Sequence, residues 1–66
     1  MSKYKNDPRV DGAGSYSVIV TTPAGPVEVL SESRYNAWRI VRPGHWIDEF
    51  RQTEDEAIAF ALGEGR

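Results

Sequence analysis

Apolar and polar positions along this chain change period twice. Over residues 16–22, Tyr16, Val18 and Val20 alternate with Ser17, Ile19 and Thr21, the two-residue period of a strand. Pro23-Ala24-Gly25-Pro26 is turn material, and residues 27–30 read as a second strand, with Val27 and Val29 on one face and Glu28 and Leu30 on the other. A four-residue loop pairs Val20 with Val29 and Ile19 with Leu30, so each face of this hairpin carries an apolar pair. Residues 37–41 and 46–50 are again rich in aromatic and β-branched residues, and Pro43-Gly44 lies between them. A two- or four-residue loop there sets Val41 opposite Trp46, Arg39 opposite Asp48 and Ala37 opposite Phe50. The other face then pairs Ile40 with Ile47 and Trp38 with Glu49.

After Phe50 the period lengthens to that of a helix. Thr53 is placed as an N-cap, and Glu56, three residues on, completes a capping box. Glu54, Asp55 and Glu56 suit the positive end of the helix dipole. Ala57, Ile58, Ala61 and Leu62 fall on one face with Phe60 beside them, and Gly63 is placed to end the helix in a left-handed cap. The short connection from Phe50 predicts that its ring packs against Ile58 or Leu62 and anchors helix to sheet.

The order is β-β-β-β-α: an α+β fold with a four-stranded antiparallel sheet, made of two hairpins, and one C-terminal helix on one face. One helix cannot cover both faces of four strands, yet both hairpins carry apolar residues on both faces. The second face is therefore expected to be covered by sheet curvature, a second subunit or a ligand.

Length and composition narrow the picture. Sixty-six residues make one domain, expected over 15–66. Residues 1–14 are polar, contain Asp7-Pro8 and end in Gly12-Ala13-Gly14, which reads as a flexible N-terminal arm. The chain has no cysteine, so neither a disulfide framework nor a thiolate metal site is expected. No run is long and apolar enough to span a membrane, and residues 1–10 lack the apolar core of a signal peptide, so a cytoplasmic location is expected. Net charge is −2, but residues 34–51 hold Arg34, Arg39, Arg42 and Arg51 against Asp48 and Glu49.

Catalytic chemistry is not in evidence. His45, the one histidine, reads as an exposed turn residue. The serines lack an activating context, and Asp48 and Glu49 are adjacent in a strand and so point to opposite faces. Neither an enzyme, a metal nor a small-molecule cofactor is expected. Tryptophan and arginine are enriched at binding surfaces, which makes Trp38, Arg39, Arg42, Trp46 and Arg51 the candidate binding residues. The register sets the two tryptophans on opposite faces, one under the helix and one on the open face.

Trp38-Arg39-Ile40-Val41, Pro43-Gly44, Phe50-Arg51-Gln52-Thr53 and Glu56-Ala57 together resemble the strand–turn–strand–helix of arm-type DNA-binding domains in phage integrases. They are also similar to small bacterial domains sharing that pattern. The resemblance covers the second half of the chain and implies a sheet whose exposed face enters a DNA major groove, with Arg39, Arg42 and Arg51 as contacts. It also implies a phage or mobile-element origin. The integrase domains are distinctly basic, whereas this chain is acidic. The leading expectation is a protein-interaction module, self-associating or binding a host macromolecule through the open sheet face. The alternative is a nucleic-acid-binding module using the basic second hairpin with Lys3, Lys5 and Arg9.

Overall fold

The computed structural model of the chain describes residues 3–64. It is α+β, with five antiparallel strands rather than four and one C-terminal helix. The strands are β1 (Val10–Asp11), β2 (Ser17–Thr22), β3 (Gly25–Glu32), β4 (Ala37–Val41) and β5 (Glu49–Arg51), and the helix is α1 (Glu54–Ala61). They form a meander in which each strand pairs with its sequence neighbours.

The additional strand comes from the segment expected to be a free arm. Val10 pairs with Val20, and Asp11 with Ile19. Val10 and Tyr4 both belong to the core, with Tyr4 only 4% exposed. Polar composition hid two apolar residues that local turns deliver to the sheet. The Asp7 carboxylate accepts from the Arg9 backbone N–H and from its guanidinium, and the Val10 N–H donates to the Asp7 carbonyl. Of the arm expected over 1–14, residues 1 and 2 lie outside the described residues, as do 65 and 66 of the C-terminal tail.

The first hairpin turns through Pro23-Ala24 alone. Val20 therefore faces Val27 rather than Val29, and Ile19 faces Glu28 rather than Leu30. The reason lies at the turn. Gly25 takes φ +120°, which opens β3 two residues early, and the Thr22 hydroxyl donates to the Gly25 carbonyl and accepts from the Ala24 N–H. A slip of two residues leaves every side chain on its expected face. Val18, Val20, Val27 and Val29 all remain inside.

The second hairpin is also two residues out of the expected register. Ile40 pairs with Glu49, Arg39 with Phe50 and Trp38 with Arg51. Pro43-Gly44 does turn the chain: Gly44 has φ +75° and the His45 N–H donates to the Arg42 carbonyl, the signature of a type II turn. The chain does not re-enter the sheet at once, however. Trp46 and Ile47 lie in a connection over 42–48 and form no strand.

The helix matches its sequence signals closely. The Glu56 N–H donates to the Thr53 hydroxyl at 3.1 Å, and the Thr53 N–H donates back to the Glu56 carboxylate at 3.2 Å. At the other end Gly63 has φ +79°, and its N–H donates to Phe60 while that of Glu64 donates to Ala59, a Schellman motif. Ala57 and Ile58 are fully buried against Val18, Val20, Val27, Val29 and Ile40, and Phe60, Ala61 and Leu62 pack around them.

Phe50 is not the anchor. It sits opposite Arg39 on the face away from the helix, 38% exposed, with its ring edge-to-face on Tyr35 at 5.6 Å. Ile40 and Trp38 point the other way, toward α1, so parity along β4 and β5 puts Phe50 outside.

Candidate interaction surface

Register assigns the residues of the uncovered face. One row across the sheet is Asp11, Ile19, Glu28 and Val41, and the next is Ser17, Leu30, Arg39 and Phe50. Ile19, Leu30 and Val41 are half-buried by their neighbours alone, and Phe50 and the 59% exposed Tyr35 extend the apolar strip to the β5 edge. Tyr35 reaches Phe50 because the short 3-10 turn over Ser33–Tyr35 ends at Asn36, whose left-handed φ of 51° redirects the chain into β4.

Arg39 stands in the middle of this face. Its Nη2 lies 2.8 Å from Glu32 and its Nε 3.7 Å from Asp48, and the guanidinium lies over the Phe50 ring at 5.5 Å. Nε is buried without a hydrogen bond, because 3.7 Å is too long for one. Asp48 therefore acts on it as a charge alone.

The five candidate residues do not come together. Arg39 is on the open face. Arg42 and Arg51 lie on the helix side, stacked over the Phe60 ring at 4.9 and 4.3 Å. Both reach Glu49, at 3.6 and 3.9 Å. The Arg51 Nη1 also donates to the Phe50 carbonyl at 2.7 Å. Trp38 is half-buried against the core under the helix. Trp46 is 97% exposed and Ile47 75%, at the tip of the 42–48 connection rather than on the sheet. Placing one tryptophan under the helix thus agrees with the structure. The other is displaced from the open face because its register pairing does not form.

Two shallow clefts flank that connection. One, about 360 Å³, lies between Pro23-Ala24, Val27, Pro43 and the Phe60 and Leu62 side chains, with Arg42 and His45 at its rim. The other, about 290 Å³, is lined by Arg42, Gly44, His45, Trp46, Ile47 and Glu49. His45 is exposed, with Nδ1 3.1 Å from the Pro43 carbonyl oxygen.

The helix-terminal acids hold the chain's first described residues. Glu54 accepts from the Gly14 N–H at 3.0 Å, Asp55 from the Lys3 N–H at 3.2 Å, and Glu64 from the Tyr4 hydroxyl at 3.0 Å. Burial, and then the Glu64 carboxylate, raise the Tyr4 phenol above its ordinary pKa. The sequence signal for this segment was Tyr4 and Val10, the large apolar residues of a polar stretch. No group of His, Asp and Glu among the described residues is arranged to hold a metal ion, and no described helix is long and apolar enough to cross a membrane. Comparison with protein-family models, curated proteins and solved structures gives no match.

Proposed function

We propose that this chain is a non-enzymatic protein-interaction module whose working surface is the sheet face opposite α1. The supporting observation is that α1 covers one face and leaves Ile19, Leu30, Val41, Phe50 and Tyr35 uncovered on the other. An apolar strip with aromatic residues at one end and charges around it has the make-up of a protein contact surface. The nucleic-acid reading has less support. It needs Arg39, Arg42 and Arg51 to act together, and they lie on different sides of the sheet, each within 4 Å of a carboxylate.

A double substitution, Leu30→Ser with Val41→Ser, makes the strip polar without touching the core. Self-association measured by sedimentation, or capture of a partner, should be lost in the double variant and kept in Trp46→Ser. Binding that survives the double variant unchanged would sink the assignment of the face. A gel shift with mixed duplex and single-stranded DNA separates the alternative. Complexes that form at low salt and dissolve steeply with added salt would favour nucleic acid.

A further inference from the structure

We infer that the partner of the open face is a segment of another protein carrying lysine or arginine beside apolar side chains, and not a second copy of this chain. The inference rests on the interaction reading above and adds the chemistry of the occupant.

Charge on the face carries the argument. Its strand positions hold Asp11, Glu28 and Glu32, and the Asp48 carboxylate reaches in beside Arg39. Arg39 is the single cation at those strand positions, a formal balance of −3. Glu32 and Asp48 are engaged with it. Asp11 and Glu28 are exposed and make no ion pair among the described residues. They share a row with Ile19 between them, two strand spacings or about 10 Å apart. An apolar side chain seated on Ile19 would thus be flanked by two unneutralised carboxylates.

This pattern selects among occupants. A two-fold dimer through the face would set two copies of the same net-negative patch against each other, which like charge opposes. A phosphate backbone is repelled for the same reason. A basic segment gains on both counts: its cations meet Asp11 and Glu28, and its apolar side chains cover Ile19, Leu30 and Val41.

Two twelve-residue peptides test this, one alternating lysine with leucine and one with glutamate in place of lysine. Each is titrated into the full chain, following backbone amide shifts by NMR. The expected result is that the lysine peptide binds, with the largest shifts at Ile19, Leu30, Val41 and Phe50, while the glutamate peptide is at least about tenfold weaker. Asp11→Lys with Glu28→Lys should weaken the lysine peptide by about tenfold and leave the thermal midpoint near wild type, since both residues are exposed. Equal binding of the two peptides at these residues would overturn the charge assignment while the interaction surface stands. So would a dimer formed through the face. Shifts confined to the 42–48 connection, or no binding by either peptide at millimolar concentration, would overturn both readings.

Discussion

At the scale of single residues, Phe50 and Ile58 separate surface from core. Ile58 is fully buried beneath the sheet, and Ile58→Ala should cost about 2–5 kcal/mol by emptying a packed site. Phe50→Ala, which removes an edge contact with Tyr35 on the open face, should cost about 1 kcal/mol. Urea denaturation of the two variants checks the ordering, and a reversal would mean that the faces are misassigned. Asp7 offers a pH signature. Hydrogen bonds from the Arg9 side chain and then its backbone lower the Asp7 carboxyl to about 2, below the usual carboxylate range. A depressed acid stabilises the folded state above its unfolded pKa of about 4, and that contribution fades as pH falls toward 2. Asp7→Asn should therefore melt below wild type at pH 6, with the gap closing by pH 2. A constant gap across that range would show that its charge is not what matters.

At the scale of elements, α1 is defined by its ends. Thr53→Ala removes one half of the capping box and should cost about 1 kcal/mol. Gly63→Ala forces a β-carbon into a left-handed backbone and should cost about 1–2 kcal/mol, although no atom lies within 4 Å of the added carbon. Thermal melts of both variants measure these terms. The helix was readable in full because its signals are local: a cap, a box, a stripe and a glycine. The strands were readable as segments and as faces, since alternation survives a two-residue slip. Their registers were not, because turn length rests on a single glycine φ at Gly25 and on whether Trp46 and Ile47 rejoin the sheet. The candidate site suffered most, since grouping Arg39, Arg42 and Arg51 needs their faces, and closeness in sequence conceals that Arg39 faces away from the other two.

For the molecule as a whole, the N-terminal segment decides the boundaries. Residues that composition marks as a solvated tail supply Tyr4 and Val10 to the core and bond to both ends of α1. A Gly12-Ala13-Gly14 stretch reads as a linker in one dimension, yet the Gly14 N–H is held by Glu54 forty residues later. No local pattern announces such a contact.

The meander has a kinetic consequence. Every strand pairs with the one next to it in the chain, so the sheet can assemble by closing short loops in succession. The docking of Tyr4 beside Glu64 spans sixty positions and closes a far longer loop than any pairing of neighbouring strands. That contact should form after the rate-limiting step. Tyr4→Ala is then expected to accelerate unfolding while leaving the refolding rate nearly unchanged, a φ-value near zero, whereas Val29→Ala in the central strand should slow refolding. Stopped-flow chevrons of the two variants would read the order of assembly directly, and slowed refolding in Tyr4→Ala would place the chain's first turns in the nucleus instead.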